Sequence, residues 1–462
     1  MDRPTRRLTL LVGLVTFVMA VAAIDARATY GARTTADEPQ YLLSALSLYQ
    51  DGDLDIANQL ASDAHLPFHE IPVDPQTIDR NGSQISPHDP LLPVMLAPAV
   101  GIAGWPGARV LLSAVAAATA MTTMWVAVRR LHITTTTAAI VVTALFATAP
   151  LVGYGAQIYP EMPAALAVIV AVAALSGPRT APTTVLAGAA IVLLPWLAVK
   201  YVPVAAGLAL WLLVPDWANE RRRAIATLVA LAVAGVVYLE AHRRIYGGWT
   251  VYAAGDHFAD GSEFDVVGTQ PNLVGRTRRL TGLLIDRGWG LGAWNAGWLL
   301  LPTAAAHVSR SSIPNRAWLL ATTGLGWATA TWIALTMHGW WWPGRQVVVI
   351  APIAVLLLVS FAADHPMVRN LIAVAGALSA TVWLWLVVEA STGRRTLVVD
   401  FGGTTHPWHR LWTALLPDHL RNAPLDLVLT VGWSALILAP AARLLVRSRR
   451  ESTTAESAME LV

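Results

Sequence analysis

Residues 108–130 read ARVLLSAVAAATAMTTMWVAVRR. From 108 to 128 this stretch is almost entirely apolar, and it ends at the basic pair Arg129-Arg130. A helix needs roughly 17–25 predominantly apolar residues to cross a bilayer. Similar runs recur between residues 8 and 446. The sequence therefore predicts an all-α, polytopic membrane protein rather than a soluble helical one.

Composition agrees with this class of protein. Of the 462 residues, 55% are hydrophobic and only 13% are charged, whereas soluble domains carry about 25% charged residues. The absence of cysteine excludes disulfides and cysteine metal sites. A net charge of +3 gives no indication of a nucleic-acid partner. Heavy use of Arg, Ala, Val and Trp is typical of GC-rich genomes, including those of actinobacteria.

The arginines predict the orientation of the chain, because positive charge in short loops marks the cytoplasmic side. Arg6 and Arg7 place the N-terminus in the cytoplasm, and the first apolar run lacks a clear cleavage site, so we expect a retained helix. We predict about twelve spans in the inner (plasma) membrane, with both termini cytoplasmic. The spans are 8–24, 108–128, 133–152, 162–175, 183–199, 201–214, 225–239, 290–308, 318–335, 347–362, 371–388 and 427–446.

Polar segments divide the predicted membrane domain, residues 1–446. Three of them, 25–89, 242–287 and 389–424, face outward in this topology. Residues 90–105 are short and rich in proline. We expect a re-entrant or interfacial helix there, because Arg129-Arg130 then fall in the cytoplasm. The tail, 447–462, is expected to be cytoplasmic, and its polar part after Glu451 to be disordered.

The first outer segment carries an acidic pair, Asp37-Glu38, followed by Pro39. Proline suits the first turn of a helix, and acids are favoured at a helix N-terminus. One interpretation is therefore a capped interfacial helix. The other is catalytic, because a carboxylate at the outer leaflet can accept a proton from an incoming hydroxyl group.

Two further motifs lie at predicted outer ends of helices. His88 and Asp89 stand where the first outer segment returns to the membrane, and Glu161 follows Pro160 at the start of a later helix. Each motif alone is also typical of a polar loop end or a helix start. Their interest lies in the shared side of the membrane.

Lys200 is the only lysine, and it lies in the apolar stretch LPWLAVKYVP, residues 194–203. A buried ammonium group requires an anionic partner, and a lipid phosphate would supply one. The alternative is snorkelling to the outer headgroups. Arg287 and Arg345 lie at the same predicted face, and arginine can bind phosphate through paired hydrogen bonds.

Several other classes of site are missing from the sequence. It contains no phosphate-binding loop ending in Gly-Lys-Ser/Thr, no His-Glu-x-x-His zinc motif and no Gly-x-Ser-x-Gly nucleophile motif. No predicted cytoplasmic loop is long enough to hold a nucleotide-sugar domain. A transferase of this kind would take its activated donor from the membrane.

The order of these motifs resembles the GT-C superfamily. That group includes protein O-mannosyltransferases, aminoarabinose transferases, and mycobacterial arabinofuranosyl- and mannosyltransferases. The resemblance spans residues 8 to about 352, and it departs where relatives often have His-x-Pro-Gly and this chain has HDPL. The matching stretches are DEPQYL (37–42) with DGDLD (51–55), SPHDPLLP (86–93), YPEMPA (159–164), LPWLAVKY (194–201), DRGWGL (286–291) and PGR (343–345).

The resemblance implies an inverting glycosyltransferase that acts on the periplasmic side. Its donor would be a polyprenyl-phosphate sugar, with arabinofuranose expected first and mannose next, and decaprenyl phosphate as the carrier in an actinobacterium. The acceptor would be an envelope glycan or glycolipid. Some relatives use a divalent cation, but the sequence offers no convincing ligand set, so we expect no cofactor.

The resemblance also implies roles for individual residues. Asp37 would be the general base, with Glu38 as the substitute. The leaving phosphate would be held by Lys200, Arg345 and Arg287. Residues that would position donor or acceptor are His88, Asp89, Glu161, Tyr41, Tyr201, Asp286 and His338.

Two other functions fit the same helices. A flippase or transporter of lipid-linked sugars would explain the membrane spans and the buried lysine. Transporters, however, place polar residues near the bilayer midplane, and here they gather at one predicted face. A non-catalytic scaffold in an envelope complex is the third alternative.

Overall fold

The computed structural model describes residues 2–73, 76–249, 272–334, 336–421 and 423–459, with side chains to Val446. The described chain is helical, and its β-structure is limited to isolated bridges. The first ten helices are α1 (Arg3–Val21), α2 (Glu38–Gln50), α3 (Ala57–Ala61), α4 (Leu91–Arg129), α5 (Thr135–Phe146), α6 (Leu151–Ala156), α7 (Glu161–Leu175), α8 (Ala181–Leu197), α9 (Val202–Asn219) and α10 (Arg221–Tyr246).

Nine described helices follow α10. They are α11 (Leu273–Arg276), α12 (Arg279–Ile285), α13 (Leu291–Trp294), α14 (Leu301–Arg310), α15 (Arg316–Ala328), α16 (Ala351–Asp364), α17 (Pro366–Ser391), α18 (Pro407–Ala414) and α19 (Pro424–Met459). Short 3-10 turns cover Val199–Tyr201, Ala296–Leu300, Arg345–Ile350 and Phe401–Gly403, and a π-helical turn covers Thr329–Ile333.

The predicted membrane architecture is confirmed. Within the described ranges, seven helices are long and apolar enough to span a bilayer, and three shorter apolar helices accompany them. Two further predicted spans are composite. Residues 290–308 join α13, a 3-10 turn and α14, and residues 318–334 join α15 to the π-helical turn. Every predicted span thus coincides with a helical segment.

Helix α4 breaks where a separate short helix was expected. Gly104 has φ +62° and ψ −158°, a combination that only glycine adopts readily. A Cβ atom built on Gly107 would lie 2.4 Å from the carbonyl oxygen of Ala99, although eight residues of straight helix would rise about 12 Å. The chain therefore folds back at the break, and Leu91–Ala103 forms a limb whose Gly101 packs against the ring of Tyr49 in α2.

The span Arg345–Asp364, which contains α16, is the centre of the bundle. Its most apolar window is 89% buried, against 11% for α10 and 17% for Pro424–Val446 at the periphery. Small residues permit close helix contacts. A Cβ atom on Gly376 would lie 2.5 Å from the Cβ atom of Ala144. Such contacts matter in a bilayer because lipid supplies no hydrophobic drive for helix association.

The last helix is longer than the predicted span 427–446. Helix α19 continues to Met459. Residues 447–459 contain neither proline nor glycine, so no helix-breaking residue ends the hydrogen-bonded ladder at the predicted membrane boundary.

Candidate active site

Four charged side chains from distant parts of the chain converge. Arg345 donates through Nη2 to Asp37 Oδ2 (2.8 Å) and through Nε to Glu161 Oε1 (2.9 Å). Lys200 Nζ donates to the same Glu161 oxygen at 2.7 Å. We call Asp37, Glu161, Lys200 and Arg345 the charged cluster. The sequence predicts all four at one face of the membrane.

Helix starts bring these residues together. Asp37 precedes α2, Glu161 is the first residue of α7, and Lys200 lies in the 3-10 turn before α9. Arg345 opens the 3-10 turn before α16, directly after Gly344, whose φ of +77° favours glycine. Because each side chain stands at a helix start, the four meet where the helices begin rather than within their apolar middles.

The charged cluster has hydrogen-bonding capacity left over. Glu161 is fully buried and its Oε2 atom has no partner among the described residues. Lys200 makes one hydrogen bond with its three protons, and the Nη1 atom of Arg345 makes none with the residues described. The side chains of Asp37, Arg345 and Lys200 remain 17, 12 and 26% exposed. The two cations can therefore bind an additional anion.

Aromatic rings enclose the charged cluster. The Arg345 guanidinium lies 4.4 Å from the ring centre of Tyr159 and 4.7 Å from that of Trp341. Lys200 Nζ lies 5.3 Å from the ring of Tyr201. Within the part of the chain that the structure describes, the buried hydroxyl groups of Tyr159 and Tyr201 have no hydrogen-bond partner. Unpaired buried hydroxyls are costly, and a bound polar ligand would pair them.

Asp37 is held as a carboxylate. Burial by itself would raise its pKa, but the positive charge of Arg345 holds the pKa of Asp37 below its ordinary value. The residue before it, Ala36, adopts φ +52°. This left-handed conformation costs about 1–2 kcal/mol for a non-glycine residue. Strain of this kind is often found at functional sites.

Glu38 has a different environment from its neighbour. Its carboxylate accepts the backbone N–H groups of Thr35 (3.0 Å) and Ile158 (2.9 Å) and lies 3.9 Å from Arg109. It is completely buried, and burial raises its pKa. Glu38 therefore fastens the start of α2 to the segment before α7, and it forms no ion pair with the cations of the charged cluster among the described contacts.

His88 and Tyr41 border the charged cluster. Their rings are 4.8 Å apart, and Tyr41 lies 6.3 Å from the ring of Tyr159. His88 Nε2 is 3.1 Å from the side-chain oxygen of Gln76. Burial lowers the pKa of His88, so its imidazole is neutral at pH 7. Asp89 turns away from the cluster and accepts the backbone N–H of Val199 at 3.1 Å.

Three other candidate residues lie in a separate group. Asp286 accepts hydrogen bonds from the backbone N–H groups of Gly288 and Trp289 and from His419. Arg287 donates to the carbonyl oxygen of Leu416. The ring of His338 lies 5.8 Å from that of Trp289. Asp286 and Arg287 contact residues 288–289 and 416–419, so Asp286, Arg287 and His338 are not brought into the charged cluster.

Some residues of the site escaped sequence reasoning. Tyr159 stood inside the quoted motif YPEMPA, and its position two residues before Glu161 could have marked it. Gln76 links His88 to the backbone oxygen of Ala36 (3.2 Å), but nothing in its sequence surroundings indicates that role. Arg109 is buried in α4, and it was missed because it lies within a predicted apolar span.

The described residues contain no group of three or more histidine, aspartate or glutamate side chains arranged to hold a metal ion. The carboxylates of the charged cluster instead bind the guanidinium and ammonium groups. The expected absence of a metal cofactor stays a prediction.

Comparison with known proteins gives the fold a context. Neither a protein-family model nor a curated protein sequence matches this chain. The crystal structure of ArnT from Cupriavidus metallidurans bound to undecaprenyl phosphate is similar, with a TM-score of 0.50 and 14% sequence identity. The match covers 94% of this chain and 77% of that one. The fold is thus a polytopic helical bundle similar to that of ArnT.

Proposed function

We propose that this protein is an inverting glycosyltransferase that uses a polyprenyl-phosphate sugar as its donor. The observation that carries the proposal is the charged cluster, where a carboxylate and two cations meet beside unpaired buried hydroxyl groups of the described chain. The ArnT structure holds undecaprenyl phosphate within a similar fold. The same ligand class suits the spare hydrogen-bond donors of Lys200 and Arg345.

Asp37 is the proposed base. It removes the proton from the acceptor hydroxyl as that oxygen forms a bond to the anomeric carbon. The bond between the anomeric carbon and the phosphate oxygen breaks on the opposite side, which inverts the anomeric centre. Polyprenyl phosphate then leaves with the bonding electrons. Glu38 is not favoured for this role, because its oxygens accept backbone N–H groups inside the protein.

The charges of the cluster suit this step. Two carboxylates and two cations cancel before the reaction. As the phosphate gains a negative charge on leaving, protonation of Asp37 removes one from the protein, so the total charge of the site is unchanged. Lys200 and Arg345 stabilise the developing charge. Glu161, which holds both cations, positions them for the phosphate and offers its second oxygen to a sugar hydroxyl.

The finer assignments belong to the same proposal. We place the site on the periplasmic side with both termini in the cytoplasm, following the arginines of the short loops. Arabinofuranose is the first donor sugar to test and mannose the second, with decaprenyl phosphate as carrier, because the residue usage is typical of actinobacteria. The acceptor would be an envelope glycan or glycolipid. We assign no phosphate contact to Arg287.

The test is turnover of defined donors. Purified protein in lipid is incubated with polyprenyl-phosphate arabinose or polyprenyl-phosphate mannose and mixed envelope glycans, and released polyprenyl phosphate is measured. We expect one donor to turn over, and we expect Asp37→Asn to reduce turnover by about 10²–10⁴-fold while still binding polyprenyl phosphate. Movement of intact donor across the bilayer without hydrolysis would instead establish a transporter.

A further inference from the structure

One polar face of α10 is directed at the candidate site. Of the described residues in this peripheral helix, only Ala224, Tyr238, His242 and Tyr246 are buried. The last three follow at intervals of four residues, so they lie on one side of the helix. A span that otherwise faces lipid thus presents three polar side chains to the protein interior.

All three of these side chains contact the loop at residues 88–89. His242 Nε2 lies 3.1 Å from Asp89 Oδ1, and the Tyr238 hydroxyl donates to the same oxygen at 3.3 Å. The Tyr246 hydroxyl donates to the carbonyl oxygen of His88 at 2.6 Å. The outer end of α10 is therefore attached to the loop that carries His88.

Asp89 transmits this attachment to the charged cluster. Its second oxygen, Oδ2, accepts the backbone N–H of Val199, the residue immediately before Lys200. Trp196, at the end of α8, packs edge-on against Tyr238 at 5.1 Å and lies 6.1 Å from His242. A continuous set of contacts therefore runs from His242 through Asp89 to the turn that carries Lys200.

His242 and Asp89 depend on each other. The ring of His242 is completely buried, and its Nδ1 atom lies 3.0 Å from the carbonyl oxygen of Tyr238. The carbonyl oxygen can only accept, so Nδ1 is the donor in that contact, and Nε2 is the ring atom that faces the Asp89 carboxylate. Loss of Asp89 would leave the buried Nε2 atom of His242 without this partner, and loss of His242 would leave Asp89 Oδ1 with only the longer hydrogen bond from Tyr238.

We propose that His242 is a positioning residue for donor binding. Through Asp89 it fixes the backbone at Val199 and thereby holds Lys200 where it can reach the lipid phosphate. This role rests on the proposed function, because the ligand of Lys200 is the polyprenyl phosphate named there. It adds α10, a peripheral helix, to the parts of the protein that determine donor affinity.

The test compares three variants of the full-length protein. His242→Phe removes both hydrogen bonds of the ring. The double variant Asp89→Asn with His242→Gln replaces the pair by two amides, since the introduced asparagine can accept from the Val199 N–H and donate to the introduced glutamine. Glu240→Gln is the control, because Glu240 pairs with Arg243 and Arg244 instead.

Two readouts separate the attachment from its consequence. Hydrogen exchange in peptides covering residues 196–203 reports the Val199 N–H without any ligand. Binding of undecaprenyl phosphate in nanodiscs reports the effect on the site. We expect His242→Phe to speed exchange in this segment and to weaken binding by about tenfold or more. The double variant should recover most of both properties, and Glu240→Gln should match wild type.

Each contrary result would overturn a different part of the proposal. Unchanged exchange in His242→Phe would overturn the attachment of the Lys200 turn. Faster exchange with wild-type affinity would overturn the positioning role. If the double variant behaves as badly as His242→Phe, the hydrogen bonds are not what matters. If wild type itself does not bind undecaprenyl phosphate, the proposed function fails, while the exchange measurement still decides the attachment.

Discussion

At the scale of single residues, the state of Asp37 depends on Arg345. Burial alone would raise the pKa of Asp37, and the guanidinium reverses that effect. Because the pKa is lowered, Asp37 is ionised at neutral pH and loses its charge only as the pH falls into the acidic range. The ion pair thus keeps the proposed base ionised, at the cost of some basicity.

This dependence gives a pH prediction. In Arg345→Met the burial effect is no longer opposed by the guanidinium, so the pKa of Asp37 rises and the acid limb of the pH–rate profile moves to higher pH. The measurement is kcat/KM across roughly pH 4–8 for both proteins, the range in which a raised carboxyl pKa would fall. Lys200→Met is the matched control, since the charge of Lys200 affects Asp37 less than that of Arg345 does. An unmoved acid limb in Arg345→Met would contradict the assignment of Asp37.

Glu38 gives a contrasting prediction. In Glu38→Gln, one side-chain oxygen is replaced by an NH₂ group facing a backbone N–H, so a buried hydrogen bond is lost at a cost of about 1–3 kcal/mol. We expect a lower Tm in detergent and turnover close to wild type at temperatures where the variant stays folded. An unchanged Tm combined with lost turnover would make Glu38 the base.

The sequence predicts which residues belong to the charged cluster, but it does not predict which of them pair with one another. Lys200 was conspicuous as the only lysine in an apolar stretch, and a charge there had to be paired. That its partner is Glu161 follows from folding and not from spacing. Asp286 and Arg287 looked equivalent to the others, but backbone groups and His419 in the third outer segment engage them.

At the scale of elements, the break in α4 determines how the first outer segment returns to the membrane. Gly104 supplies the backbone conformation for the break, and the Leu91–Ala103 limb follows the loop that carries His88. The proline-rich sequence predicted a short separate helix here. The angle of the break depends on the backbone conformation of Gly104, and the pattern of apolar residues carries no information about that conformation.

Replacement of Gly104 should therefore destabilise the protein. In Gly104→Ala the new Cβ atom would meet, among the described residues, only Pro106 Cδ, at 3.6 Å, which is an ordinary contact. Alanine would instead strain the backbone at this conformation, which lowers the free energy of unfolding by about 1–3 kcal/mol. Thermal unfolding in detergent should show a lower Tm. Gly235→Ala is the control, since nothing in the described chain lies within 4 Å of its Cβ position and alanine favours a helix. Equal Tm values for the two variants would refute this explanation of the break.

At the scale of the whole molecule, the apolar runs determined the number of spans because each must cover the bilayer. The composite spans at 290–308 and 318–334 were visible as apolar runs, but their 3-10 and π-helical turns were not. The π-helical turn contacts the 3-10 turn Arg345–Ile350 that opens the central span, and the 3-10 turn Ala296–Leu300 contacts α17. Hydropathy reports length and polarity, and it carries no information about such local contacts.

The absence of cysteine makes the proposed orientation easy to test. Single replacements at exposed positions, Ala61→Cys, Ser391→Cys and Ser312→Cys, introduce one reactive thiol each. A membrane-impermeant maleimide should label the first two in intact cells and the third only after lysis. Labelling of Ser312→Cys before lysis, with protection of the other two, would reverse the orientation.

The central claim is that the charged cluster holds the phosphate of a polyprenyl lipid. The most direct measurement is an experimental structure of the protein with bound polyprenyl phosphate. Our account predicts phosphate oxygens within about 3 Å of Lys200 Nζ and of the Arg345 guanidinium, as charge-assisted hydrogen bonds require, with Asp37 facing the vacant acceptor side. A headgroup bound beside Arg287, or anywhere beyond direct contact with Lys200 and Arg345, would contradict it.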